Sequence, residues 1–234
     1  VFEVHIHGCG GQRVVTAAEM LARAAFREGR YAQAFPSFDS ERVGAPVMSI
    51  CRIDDHTLGT RDAAMEPAME PDALIVLDAA LLHEAEALAG LKHEGFILVD
   101  AVESFTELGL SELVKGFRRE RMLALPASDL ARAHTGRALA TTALLGGFVA
   151  LTGVTSLRAI ERAIDERVDD MPSGAEGNIA LARAAHWWVV DELWEMIGAT
   201  PRVRRLGESA SNGGGRDRAR RAADPTARPE ERDA

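Results

Sequence analysis

Residues 2–18 read Phe2-Glu3-Val4-His5-Ile6-His7-Gly8-Cys9-Gly10-Gly11-Gln12-Arg13-Val14-Val15-Thr16-Ala17-Ala18. Phe2, Val4 and Ile6 alternate with Glu3, His5 and His7, the period of two that marks a half-buried or edge-facing strand. The strand runs into Gly8-Cys9-Gly10-Gly11-Gln12. After it, Val14, Ala18, Leu21 and Ala25 recur at helical spacing to about Glu28, and Gly29 is a natural stop. Strand, glycine loop and helix in that order open an α/β fold.

Working outward, Tyr31 to Phe35 and Val47 to Ile53 read as two more strands, joined through a polar loop from Pro36 to Pro46. Ala73-Leu74-Ile75-Val76-Leu77 and Phe96-Ile97-Leu98-Val99 are continuous apolar runs, as strands covered on both faces are. A helix from about Ala79 to Ala89 is expected between them, and Met122 to Leu125 is a further strand closed by Pro126. The remainder reads as helix over Arg137 to Leu151, Ser156 to Val168 and Ala175 to Ile197, with Ser173 and Glu176 as a capping pair for the last. Trp187, Trp188 and Trp194 on that last helix read as core, with a subunit contact as the second reading. The expected architecture is a layered, mostly parallel sheet flanked by helices, with a helical C-terminal part.

Composition narrows the function classes. The chain has 234 residues, 47% of them apolar, with 36 acidic against 27 basic side chains. That length buries a sizeable core, and that charge balance argues against nucleic acid as the main partner. Residues 202–234 hold nine Arg against six acidic residues, three consecutive glycines and few large apolar groups. Such a segment cannot bury enough to offset the entropy of ordering it. The expected division is therefore one domain over residues 1–198 and a disordered tail over 199–234. The longest uncharged run, Ala138 to Leu157, is broken by threonine and glycine and suits a buried helix better than a bilayer. Val1-Phe2-Glu3-Val4 shows no export signal, so the expected location is the cytoplasm. Cys9 and Cys51 are the only cysteines, too few for a disulfide scaffold or a self-contained iron–sulfur cluster.

The glycine loop stands between a strand and a helix, where backbone N–H groups and the helix dipole attract anions. A tight turn needing positive φ explains the glycines equally well. The dinucleotide fingerprint is incomplete, because Arg13 follows Gln12 and no further glycine opens the helix. His5, His7 and Cys9 share a strand face and are a conceivable zinc set, although half-exposed strand histidines are the commoner reading, and no metal ligand is assigned. Ser40, Glu41 and Arg42 concentrate polar groups in the Pro36–Pro46 loop. Arg42 either pairs locally with Glu41 or clamps a phosphate or carboxylate. No residue is singled out as catalytic.

Several segments together resemble the gamma subunit of 2-oxoacid:ferredoxin oxidoreductases of the pyruvate and phenylglyoxylate type. They are Gly8 to Gln12 with Val14 to Ala18, Ala32-Gln33-Ala34-Phe35-Pro36-Ser37-Phe38, and Glu41-Arg42-x-Gly44-Ala45-Pro46-Val47. Glu70-Pro71-Asp72, Leu144-Leu145-Gly146, Ala150-Leu151-Thr152-Gly153 and the helix around Asn178 are similar to further landmarks of that family. The chain departs from the family pattern at Arg13, where glycine is usual, at Asp39 and Val43, and at Ala140-Thr141-Thr142.

The resemblance implies a complex that decarboxylates a 2-oxoacid on thiamine diphosphate, passes electrons through iron–sulfur clusters to ferredoxin or NAD, and yields acyl-CoA. It implies alpha, beta and ferredoxin-like delta partner subunits that carry the thiamine diphosphate, magnesium and clusters. This chain has no Gly-Asp-Gly followed by Asn of the thiamine-binding kind, so alone it is expected to be inactive. Its implied share is part of the coenzyme A site, through Gly8, Gly10, Gly11, Gln12, Arg13, Ser40, Glu41 and Arg42, together with assembly. The alternative is a purely structural subunit with no ligand contact.

Overall fold

The computed structural model describes residues 1–37, 46–56, 70–83, 88, 90–167, 174–196 and 198. Six strands form one sheet: β1 (Phe2–Cys9), β2 (Tyr31–Ser37), β3 (Pro46–Asp54), β4 (Ala73–Val76), β5 (Phe96–Asp100) and β6 (Met122–Leu125), in spatial order β2-β3-β1-β4-β5-β6. The pairings β1–β4, β4–β5 and β5–β6 are parallel, and β1–β3 and β2–β3 are antiparallel. The parallel half matches the continuous apolar runs. The antiparallel half arises because β2 and β3 form a hairpin, which needs no crossover helix.

The helices are α1 (Val14–Arg27), α2 (Ser111–Val114), α3 (Ala127–Thr135), α4 (Thr141–Thr152), α5 (Leu157–Asp165) and α6 (Gly174–Met196). α1 ends where expected, with Glu28 as its C-cap and Gly29 at φ +81°. The Glu28 carboxylate accepts from the Thr155 hydroxyl at 2.5 Å and the Ser156 N–H at 3.1 Å, tying the end of α1 to the start of α5. Ser156 caps α5 by accepting the Ala159 N–H. Five sequence expectations need correction. The segment after β4 is a 3-10 turn at Ala79–His83, and the rest of the helix expected there lies mostly outside the described residues. The helix expected from Arg137 starts at Thr141. It is preceded by α3, absent from the sequence expectation, in which Pro126 only closes the strand before it. The same proline occupies the N-cap position of α3, and Gly136 in the left-handed region ends it. Ser173 lies outside the described residues.

The fourth correction concerns β1, which is the centre of the sheet rather than an edge. Val4 and Ile6 face the layer of α1, α4, α5 and α6, as the alternation predicts. Glu3 and His5 are also buried, on the opposite face. They are tolerated there because they pair: Glu3 Oε1 lies 2.7 Å from His5 Nε2, and Arg52 Nε donates to Glu3 Oε2 at 2.6 Å. The Arg52 guanidinium also lies over the Phe35 ring, 4.9 Å from its centroid. β4 and β5 cover this same face with a second apolar cluster built on Leu74, Val76, Ile97 and Val99, with Leu81, Leu91 and Leu110 against it.

His7 continues the row, and its Nε2 is buried with no hydrogen-bond partner among the described residues. Burial, and then the neighbouring His5, lower its pKa to about 4. A histidine with a depressed folded pKa favours folding above its unfolded pKa near 6.5, and that contribution is lost as pH falls toward 4. Full-length protein should therefore lose roughly 2–3 kcal/mol between pH 7 and pH 4.5 through this group alone. A His7→Leu variant should show a correspondingly flatter pH dependence in urea titrations at the two pH values. Parallel losses in both proteins would exclude His7 as the cause.

α4 is buried on all sides and packs against α6. Thr142 donates to Asn178 Oδ1 at 3.1 Å, and one turn on, Gly146 meets the Ala182 backbone so closely that an added Cβ would lie 2.1 Å from the Ala182 carbonyl oxygen. The tryptophans of α6 depart from the core reading: Trp187 is 51% and Trp194 45% exposed, and only Trp188 packs partly against the core. α6 carries apolar residues around its whole circumference, so periodicity could not separate its buried face from its outer one. Among the described residues no helix is long and apolar enough to cross a membrane.

Candidate functional site

Because β1, β4 and β5 are parallel, their carboxyl ends gather at one edge of the sheet. After β1 the chain turns toward β2 and β3, and after β4 it moves the other way toward β5. The gap between β1 and β4 is thus the point where the winding reverses, which is where ligands of open α/β sheets bind. The glycine loop fills it.

Each loop residue has a distinct physical part. A Cβ at Gly8 would lie 2.7 Å from Val14 Cγ2 and 2.8 Å from Gln12 Oε1, so the glycine makes room for two side chains of its own loop. Gly11 sits at φ +97° with open space where a side chain would be, which is a turn conformation glycine favours. The N–H groups of Gly10 and Gly11 bond to no acceptor among the described residues. Gln12 is engaged at both ends of its amide: Oε1 accepts the Cys9 N–H at 2.6 Å and Nε2 donates to the Leu77 carbonyl at 3.3 Å. Its backbone N–H donates to the Cys9 carbonyl at 3.0 Å, and its carbonyl accepts the Thr141 hydroxyl at 3.0 Å.

Arg13 is the N-cap of α1 and stands at φ +60°, ψ +40°, alone among the described non-glycine residues in having positive φ. That conformation costs an L-residue roughly 1–2 kcal/mol. Arg13 borders a small cleft with Thr16, Leu139, Thr141 and Asn178, between the starts of α1, α4 and α6. A second small cleft on the other side of Gln12 is lined by Leu77, Asp100, Ser128 and Ala140. Asp100, at the end of β5, accepts the Ser128 N–H at 2.9 Å and the Ser128 hydroxyl at 2.5 Å, so it caps α3 from the sheet. Burial raises the Asp100 pKa against the opposing pull of those bonds. Sequence reading missed Asp100, Ser128 and Thr141. An acid ending the apolar strand β5 (Asp100), and Pro126-Ala127-Ser128 closing the next strand, β6, were the available signals.

Ser40, Glu41 and Arg42 lie outside the described residues. The strand ends that their loop joins are placed: Pro46 pairs with Cys9, and Ser37 with Met48. The connection therefore finishes beside the glycine loop, at Pro46, and starts one strand farther out, at Ser37. His5, His7 and Cys9 share a face, but among the described residues no group of three or more His, Cys, Asp or Glu is placed to hold a metal. Cys9 approaches the Asp78 carboxylate, with Sγ 3.7 Å from Oδ2. Cys51 points into the helical face and is wholly buried, and burial drives its thiol pKa far up. The two cysteines thus sit on opposite faces of the sheet and do not form a cluster site.

Residues 3–187 match the family model of pyruvate ferredoxin/flavodoxin oxidoreductase. The chain belongs to that family. Within it the chain is of the gamma-subunit type, a component of a multi-subunit 2-oxoacid oxidoreductase. It is 39% identical over 188 residues to the common gamma subunit of pyruvate and ketoisovalerate oxidoreductases of Pyrococcus furiosus, covering 80% of this chain and 96% of that one. It is 37% identical over 164 residues to the pyruvate synthase subunit PorC of Methanocaldococcus jannaschii, covering 70% and 84%. Among solved structures, the pyruvate oxidoreductase subunit PORC of Thermotoga maritima superposes with a TM-score of 0.65 at 31% identity, over 80% of this chain and 95% of that one. The α/β sheet expected from the sequence is therefore a family property.

Proposed function

We propose that this family member supplies a phosphate-holding loop to the coenzyme A site of a cytoplasmic complex that oxidatively decarboxylates a 2-oxoacid to acyl-CoA. The observation that carries this reading is the Gly10-Gly11 turn. Its N–H groups lack protein acceptors among the described residues, and it stands at the start of α1 where the sheet reverses its winding. Arg13 adds a guanidinium at the rim, and the Ser40-Glu41-Arg42 segment leads into β3, which begins opposite Cys9. Thiamine diphosphate, magnesium and iron–sulfur clusters belong on alpha, beta and ferredoxin-like delta partners in this reading. The two cysteines of this chain cannot supply the four thiolates a cluster takes. Electrons leave for ferredoxin or NAD through those partners.

In the assembled complex, Arg13→Gly and Arg42→Ala should each raise the KM for coenzyme A by roughly tenfold, the worth of one charge-assisted contact. The KM for the 2-oxoacid should stay nearly constant. Arg13→Gly should at the same time stabilise the chain by about 1 kcal/mol, since glycine takes the left-handed conformation without penalty. Trp187 and Trp194, large and exposed on α6, favour a second reading in which the chain serves assembly. That reading wins if both substitutions leave coenzyme A dependence untouched and Arg42→Ala disrupts co-purification of the partners.

A further inference from the structure

We infer that Gln12 is a positioning residue, which holds the Gly10-Gly11 amides toward ligand by fastening the loop on three sides without itself touching the ligand. The inference rests on the coenzyme A reading above and goes beyond it by separating the residue that binds from the one that aims.

The three fastenings are on different elements. The Gln12 amide oxygen takes the Cys9 N–H, which would otherwise compete as a donor at the loop, and the amide nitrogen reaches the Leu77 carbonyl just past β4. The backbone carbonyl takes the Thr141 hydroxyl at the first residue of α4. Gly8 is part of the same device, because any Cβ there would collide with Gln12 Oε1 and Val14. Both polar ends of the Gln12 side chain are engaged by partners inside the protein. The remaining donors of the turn are those of Gly10 and Gly11. A loop fixed before binding avoids the ordering cost that a loose one incurs when ligand arrives, so the effect of Gln12 falls on affinity.

The test is steady-state kinetics of the assembled complex carrying Gln12→Ala, Gln12→Met or, separately, Gly10→Val, with thermal melting of each preparation. Gln12→Met keeps the length of the side chain and removes both polar ends, so it is the variant best placed to fold normally. Both Gln12 variants should raise the KM for coenzyme A by roughly fivefold to tenfold, the scale of one lost hydrogen bond in the loop. kcat at saturating coenzyme A and the KM for the 2-oxoacid should move less than twofold. Gly10→Val places a β-branched side chain next to the amides that the reading gives to the ligand, and should raise the KM for coenzyme A at least as much. If Gly10→Val raises it while neither Gln12 variant does, the positioning inference is overturned and the coenzyme A reading stands. If the Gln12 variants lower the melting temperature with the KM for coenzyme A unchanged, Gln12 is a packing residue only, and the inference is overturned. If Gly10→Val leaves coenzyme A dependence unchanged as well, the coenzyme A reading itself is overturned, and the inference with it.

Discussion

Gly146→Val should leave the full-length chain unable to reach its native fold, and Gly146→Ala should cost about 3 kcal/mol or more in urea-induced unfolding. A Cβ at this position would lie 2.1 Å from the Ala182 carbonyl oxygen and 2.8 Å from the Ala182 Cα, so the obstacle is backbone and cannot rotate away. α4 and α6 would have to separate along their contact, opening the Thr142–Asn178 hydrogen bond one turn earlier. The better helix propensity of alanine returns at most ~1 kcal/mol. Gly147 is an internal control. A Cβ there meets the ends of Leu125 and Val189, side chains that can shift, so Gly147→Ala should cost clearly less. Trimming the neighbour through Ala182→Gly should not rescue Gly146→Ala, because the colliding atoms are main chain. A Gly146→Ala midpoint within 1 kcal/mol of the parent would show that the helices part easily.

Glu3→Leu should destabilise the full chain by about 3–5 kcal/mol at neutral pH, the usual consequence of removing one member of a buried ion pair. Arg52 is only 6% exposed and donates to Glu3 at 2.6 Å, so the guanidinium cannot turn to water without leaving the sheet. His5 loses its 2.7 Å contact in the same step. Introducing Arg52→Leu beside Glu3→Leu should recover most of the loss, since two apolar residues of similar size at paired register positions replace the buried charges. Chemical denaturation of the four proteins forms a double-mutant cycle. A single variant that unfolds like the parent, or a double variant that loses as much as both singles together, would contradict a coupled pair.

The sequence was most informative where local pattern and tertiary setting agree. The alternation of Phe2, Val4 and Ile6, the glycine loop and the apolar runs before Leu77 and Asp100 each name an element within a residue or two of its observed place. The buried polar face of β1 was out of reach because Arg52 lies 49 residues beyond Glu3, and no local window joins them. Helix α3 was lost for a different reason. Pro126 ends one element and begins the next, and a reading that assigns it one duty drops the other. At the candidate site, the loop and its place before α1 were legible. The division of labour inside it was not, because whether Gly8 yields to a ligand or to Gln12 depends on where the Gln12 side chain folds.

The Cys9–Pro46 pairing has a consequence for how such chains diversify. Residues 38–45 join the two outermost strands on one side of the sheet, β2 and β3, and no other strand's register depends on how long that connection is. Doubling a connection of this kind costs only about 0.6 kcal/mol in closure entropy. A change in its length therefore leaves the β1–β4 and β4–β5 pairings untouched, while its Glu41-Arg42-x-Gly44-Ala45 residues carry the family resemblance. Grafting this connection between homologues, with that motif kept, is thus the least disruptive way to change what this edge of the sheet recognises.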